Sequence, residues 1–184
     1  ACGIQIAAAG GTPVFFAKSG GCDGDRGGRV FSHTGAGAAG AWQEVPPPPG
    51  GGTFGVFAVD PNNPQRIIAS RVGIGVATRM FLTTNGGAVW NALPALDTVM
   101  TGNGVFKYDT ISGPRAFARR NGYPQPTLVA FDPLDADILV AGSADAGVFI
   151  STNGGTRWQL VTDPFTPGVS GTPHIPRPYY AHFD

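Results

Sequence analysis

Two octapeptides in this chain are near copies of one another, and they constrain the fold more than any other feature. Ser151-Thr152-Asn153-Gly154-Gly155-Thr156-Arg157-Trp158 recurs as Thr83-Thr84-Asn85-Gly86-Gly87-Ala88-Val89-Trp90. Each copy follows an apolar run, Gly147-Val148-Phe149-Ile150 or Thr78-Arg79-Met80-Phe81-Leu82. Upstream, Val56-Phe57-Ala58-Val59-Asp60-Pro61 aligns with Leu128-Val129-Ala130-Phe131-Asp132-Pro133. A second apolar run follows each, Ile67-Ile68-Ala69-Ser70 or Leu139-Val140-Ala141-Gly142. A repeat of this kind is a supersecondary unit that buries its apolar faces only by stacking on its neighbours.

A degenerate copy comes first. Gly3-Ile4-Gln5-Ile6 aligns without a gap on Gly55-Val56-Phe57-Ala58, and Phe15-Phe16-Ala17 falls on Ile67-Ile68-Ala69. Arg29 to Gly35 and Ala41 to Val45 then match Gly147 to Val161 with a short insertion. Tyr179-Tyr180-Ala181-His182-Phe183-Asp184 reads as the start of a further copy. The units run over roughly 35–45 residues, the size of a four-stranded propeller blade. The expected fold is therefore all-β: a partial β-propeller of three four-stranded antiparallel blades plus the first strand of a fourth. Blade one spans 3–45, blade two 55–93 and blade three 127–161. A long loop fills 94–126, a second loop 162–178, and the next blade starts at 179–184. Three blades are too few to close a ring, and Asp184 stands where Asp60 and Asp132 are each followed by proline, as if the unit continued.

Composition agrees and removes several function classes. Glycine (29) and proline (17) punctuate runs rich in Val, Ile and Phe, the pattern of many short strands joined by turns. No stretch keeps a 3.6-residue period for three turns, so little helix is expected. Charged residues make up 13% and the formal net charge is zero, which leaves no basic face for a nucleic-acid partner. No apolar run reaches the length of a membrane span. No signal peptide is read at Ala1, as in a mature or trimmed chain. Ten arginines against two lysines, with abundant Ala, Gly and Pro, fit a GC-rich bacterial gene.

The residue types of the octapeptide have physical reasons. Asn-Gly between two strands favours a turn with positive φ, where glycine carries no Cβ penalty. Asn, and more weakly Ser or Thr, can bind backbone N–H groups of its own turn. Trp is a large apolar body placed to pack between blades. The sequence here resembles the Asp-box repeat, S/T-x-D/N-x-G-x-x-W, of bacterial neuraminidases, xyloglucan-hydrolysing glycosidases, sortilin-type receptors and photosystem assembly factors. The resemblance implies a fold, and a structural role for Thr83, Asn85, Gly87, Trp90, Ser151, Asn153, Gly155 and Trp158. Both boxes carry Asn where Asp is commoner.

In an antiparallel meander, strands one to four alternate in direction, so the first-to-second and third-to-fourth turns share a face. That face holds the short stereotyped segments, the boxes and Asp60-Pro61-Asn62-Asn63-Pro64 with its counterpart at Asp132. The opposite face holds the irregular connections. A loop as long as 94–126 is commonly functional or disordered, and its Val105, Phe106 and Phe117 need burial. It carries Asp97, Lys107, Tyr108, Asp109, Arg115, Arg119, Arg120 and Tyr123. The second connection carries Asp163, His174 and Arg177 and leads into Tyr179. The third is a polyproline stub, Pro46 to Pro49, with a glycine tail. Tyr108, Asp109, Arg115, Arg119, Arg120, Tyr123, His174, Arg177 and Tyr179 form the candidate ligand face, suited to sugar or peptide.

Glycoside hydrolysis needs two carboxylates flanking the bond. Asp97, Asp109, Asp145 and Asp163 are the loop acids, and Glu44 is the one glutamate. Xyloglucanase-like families draw two aspartates from distant blades, and the Phe-Arg-Ile-Pro element of sialidases is absent. Gly35 to Gly40 fits G-x-G-x-x-G but sits in a hairpin with no helix after it. Asp23-Gly24-Asp25 lacks the remaining ligands of a calcium loop. His33, His174 and His182 have no metal spacing, and no cofactor pattern is present. The sequence reads as a secreted binding or scaffold module, extracellular or periplasmic, whose partners are further propeller blades or neighbouring chains and a carbohydrate or protein ligand. The alternative is a xyloglucanase-like or sialidase-like hydrolase with catalytic acids partly in other blades. Cys2 and Cys22 bracket the first two strands at one face and are expected to form a disulfide. Closing about twenty residues contributes roughly 3 kcal/mol and implies an oxidising compartment. Intact mass before and after alkylation tests it: no added mass without reductant is expected, and two alkylated thiols would refute the bond.

Overall fold

The computed structural model describes residues 3–20, 27–35, 40–73, 76–100, 125–144, 147–162 and 181–183. Among them, three four-stranded antiparallel sheets each run in simple sequence order. The first holds β1 (Ile4–Ala9), β2 (Thr12–Lys18), β3 (Val30–Thr34) and β4 (Gln43–Glu44). The second holds β5 (Thr53–Asp60), β6 (Asn63–Gly73), β7 (Val76–Thr83) and β8 (Asn91–Ala92). A short helix, α1 (Pro94–Met100), precedes the third, made of β9 (Gln125–Phe131), β10 (Leu139–Ala144), β11 (Gly147–Ser151) and β12 (Gln159–Thr162). The helix falls in a stretch read from sequence as loop. Two turns are too few for a 3.6-residue period to register, although Pro94 sits at the first helical position, where its missing N–H costs nothing. Cys2 and Cys22 lie outside the described residues.

Strand register shows that the ungapped alignment of the first repeat is one residue out. Ile4 pairs with Ala17 and Ile6 with Phe15, whereas Phe57 pairs with Ala69 and Val59 with Ile67. Ile4 and Ile6 are therefore the counterparts of Phe57 and Val59, not of Val56 and Ala58. The two turns are equally long, with Ala9 paired to Thr12 and Asp60 to Asn63, and the offset comes from a register shift between Val59 and Asp60 that blade one lacks. Because side chains alternate along a strand, a one-residue slip exchanges the two faces of the sheet.

With the register corrected, each blade has one face toward its predecessor and one toward its successor. Ala7, Val14, Phe16 and Val30 of blade one pack with Phe57, Val59, Ile67 and Ala69 of blade two. Val56, Ala58, Ile68 and Met80 on the other face of blade two pack with Val129, Phe131, Leu139, Ala141 and Phe149 of blade three. Leu96 and Met100 of α1 are fully buried in that second cluster. Burying one such side chain contributes about 1.5–3 kcal/mol, so these two interfaces are the main store of stability.

Polar groups fasten the same interfaces. Gln5 donates from Nε2 to the Phe57 carbonyl (2.8 Å) and accepts from Val59 N at Oε1 (2.8 Å). It pairs with the edge of β5 as a strand would. Asn62 Nδ2 reaches the Pro133 carbonyl at 2.7 Å. Arg66 crosses from blade two to blade three: it donates to the carbonyls of Ala136 (2.5 Å) and Gly154 (3.4 Å). Its guanidinium lies 5.0 Å from the centre of the Phe131 ring and 3.5 Å from Asp60 Oδ2, both side chains being largely buried. Arg66→Met removes these bonds and leaves Asp60 a buried charge without its partner. A loss of about 3 kcal/mol is expected, read as a lower urea midpoint; a midpoint within error of the parent would show that the clamp contributes nothing.

Candidate functional site

The two boxes build the same turn. Thr83 Oγ1 accepts from Asn85 N (3.2 Å) and Gly87 N (3.1 Å) and donates to Asn85 Oδ1 (2.8 Å). Asn85 Oδ1 also accepts from Val89 N at 2.8 Å. Ser151 and Asn153 repeat the pattern with Gly155 N at 2.9 Å and Arg157 N at 2.9 Å. Gly86 and Gly87 have φ of 67° and 94°, Gly154 and Gly155 of 72° and 91°, conformations that a Cβ would strain. Trp90 donates from Nε1 to the carbonyl of Pro46, just after blade one (3.0 Å), and packs edge-on against Phe54, centroids 5.8 Å apart. Trp158 packs against the blade two–three cluster and donates to Gly155 O at 2.9 Å. The Thr, Ser and Asn side chains thus bond the amides of these turns, and the two tryptophans pack at the seams between blades. In blade one His33 takes the Ser/Thr position, since it pairs with Phe15 as Thr83 pairs with Ile67. Its Nε2 bonds the Gly40 carbonyl at 2.9 Å, and its ring meets Trp42 at 5.3 Å.

On the opposite face the described residues cluster around Asp97. Asp97 Oδ1 accepts from the Met80 amide at 2.7 Å, and Oδ2 lies 3.6 Å from Arg79 Nη1. Asp97 is buried, and through these contacts this loop acid fastens α1 to β7. Arg79 stands directly across the sheet from Arg71. Arg71 donates to the Pro49 and Ala77 carbonyls and lies 5.4 Å from the Phe81 ring centre. Burial first, and then the neighbouring Arg79, push its guanidinium below the ordinary arginine range, with Asp97 opposing. Ser143 Oγ donates to the Met100 carbonyl at 2.8 Å, closing the end of the helix. Arg71 and Arg79 escaped the sequence reading; two arginines facing each other across a hairpin in so lightly charged a chain are the signal that could have found them.

Glu44, the other acid weighed from sequence, is exposed and forms a two-pronged ion pair with Arg29. That pairing holds its carboxyl below the ordinary range. Tyr108, Asp109, Arg115, Arg119, Arg120, Tyr123, His174, Arg177 and Tyr179 lie outside the described residues, as do Asp145 and Asp163. Among the described residues no group of three His, Cys, Asp or Glu could hold a metal ion, and no helix is long and apolar enough to cross a membrane.

No protein-family model matches the chain, and no curated protein does. Solved structures do. A GH74 enzyme from Niastella koreensis superposes with a TM-score of 0.51 at 20% identity, over 84% of this chain and 22% of that one. The architecture is a β-propeller. A GH74 xyloglucanase from Xanthomonas campestris gives 0.49 at 21% identity, over 85% of this chain and 22% of its own. The chain therefore spans about a fifth of the length of either.

Ser151→Ala tests the turn. It deprives the buried Gly155 amide of its acceptor, which costs about 1–3 kcal/mol. Hydrogen exchange at Gly155 should accelerate while the paired amides of β10 keep their protection; unchanged exchange at Gly155 would refute the assignment.

Proposed function

We propose that this chain is part of a larger secreted Asp-box propeller that works as a binding or scaffold module, with ligand met on the face of the long connections. The observation that carries this reading is the commitment of Asp97. This acid is bound to Arg79 and the Met80 amide. Hydrolysis of a glycosidic bond needs two carboxylates roughly 5–9.5 Å apart across a cleft, and Asp97 is taken up by other groups. The face offers arginine and backbone polar groups instead, and the connections bring Tyr108, Asp109, Arg115, Arg119, Arg120, Tyr123, His174, Arg177 and Tyr179 as candidate contacts to carbohydrate or protein.

The larger assembly is supported by what blade one leaves uncovered. Phe57 and Val59 are 8% and 5% exposed against blade one, while their counterparts Ile4 and Ile6 are 67% and 59% exposed and Trp42 is 51% exposed. Apolar surface of this extent calls for a partner, and further blades, from the same polypeptide or a neighbouring chain, have the complementary face. An oxidising, extracellular or periplasmic setting follows from a Cys2–Cys22 bond.

A second reading, a xyloglucanase-like hydrolase completed by acids in other blades, draws on the fold shared with the Niastella enzyme. One experiment separates the two. The protein is incubated with xyloglucan, and retention and the release of reducing ends are followed together. Retention without release is expected; release that falls at least about 100-fold in Asp109→Asn would replace the first reading with the second.

A further inference from the structure

A groove of about 410 Å³ opens between blades one and two, lined by residues of the turns and, at its border, by Val45 and Pro46 at the start of the polyproline connection; it includes none of the candidate ligand-face residues named above. Val14, Pro64, Gln65, Asn85 and Gly86 contribute to its walls, and each has a counterpart one interface further on. Phe15, Ile67 and Leu139 pair with His33, Thr83 and Ser151, so Val14 occupies the position of Arg66. Gly86 N donates to the Gln65 carbonyl as Gly154 N donates to that of Asp137, which equates Gly86 with Gly154 and Pro64 with Ala136. Arg66 fills the interval between blades two and three by donating to the carbonyls of Ala136 and Gly154. Val14 is too short to reach the corresponding Pro64 and Gly86, and the space that an arginine would take is the groove.

We propose that this groove is a berth for the guanidinium group of an arginine carried by a partner polypeptide, which takes the place that Arg66 holds in the next interface. Val14, Phe16 and Ile67 give the groove an apolar wall for the three-carbon stem, which arginine buries readily. By the equivalence above, the Pro64 and Gly86 carbonyls correspond to those of Ala136 and Gly154, which Arg66 bonds. A rigid fork of five donors matches two fixed carbonyls better than a lysine ammonium, a compact and strongly hydrated point charge. Glu44 also borders the groove, but Arg29 holds both of its oxygens. The counterparts of Asp60 and Phe131 at this seam are Ala7 and Val59, so the groove lacks the carboxylate and the ring that Arg66 also meets, and selection rests on the carbonyls alone.

The test titrates the protein with the blocked tripeptide acetyl-Ala-Arg-Ala-amide and with its citrulline and lysine counterparts, following the Gly86 and Gln65 amides by NMR. The arginine peptide is expected to saturate those two signals and to bind at least about tenfold more tightly than the citrulline peptide, the discrimination of one charge-assisted bond. Val14→Arg supplies the group internally and should abolish binding. Val14→Met fills the space without charge, should abolish binding too, and decides the matter if the arginine variant does not fold. Equal affinity for arginine and citrulline, no shift at Gly86, or undiminished binding in Val14→Met would each overturn the proposal and leave the groove as a water-filled gap.

Discussion

A four-stranded antiparallel sheet satisfies its own backbone hydrogen bonds but leaves two apolar faces, and the burial of those faces against neighbouring sheets is the constraint on which this structure depends. Each blade pairs its strands locally, which is why the sheets run in simple order. The stabilising area lies between blades, in two clusters that each draw on consecutive sheets. The boxes serve that arrangement. By fixing the turn into the last strand, Thr83 and Asn85 deliver Trp90 to the seam with blade one, and Ser151 and Asn153 deliver Trp158 to the seam with blade two.

The two seams are closed by different chemistry on one backbone plan. Between blades one and two, Gln5 clasps the edge of β5, and Trp90 reaches back to Pro46. Between blades two and three, Arg66 spans the gap with its charge offset by Asp60 and its face laid on Phe131. A buried arginine is tolerable there because its donors meet fixed carbonyls and a carboxylate, conditions that limit the desolvation cost. Where the chain carries Val14 instead, the desolvation cost disappears and a groove remains.

The face of the long connections follows a different logic. Arg71 and Arg79 face each other on β6 and β7, a repulsive arrangement in isolation. The pair is held by Asp97 on one side and by the Pro49 and Ala77 carbonyls on the other. An acid that resembles a catalytic candidate in the sequence is thereby absorbed into the scaffold, and α1 is tied to the hairpin it caps.

The sequence by itself determined the class of fold, the three sheets found among the described residues and the turn chemistry, because these depend on local patterns. An Asn-Gly-Gly turn admits positive φ without a Cβ penalty, and alternating apolar runs between such turns favour strands. What only the tertiary structure decided are the quantities set by neighbours distant in sequence. The register of β1 depends on whether a strand pair carries an irregularity before its turn, which repeat similarity does not measure, and with it the face that Ile4 and Gln5 occupy. The helix at Pro94–Met100 exists because Leu96 and Met100 find the blade two–three core; seven residues carry too little periodicity of their own to hold a helix. Asp97 reads as a free acid until Arg79 and the Met80 amide are brought to it. Arg66 and Val14 differ in kind in the sequence, but that one fills a seam and the other leaves it open is a property of packing between sheets, where local pattern has no reach.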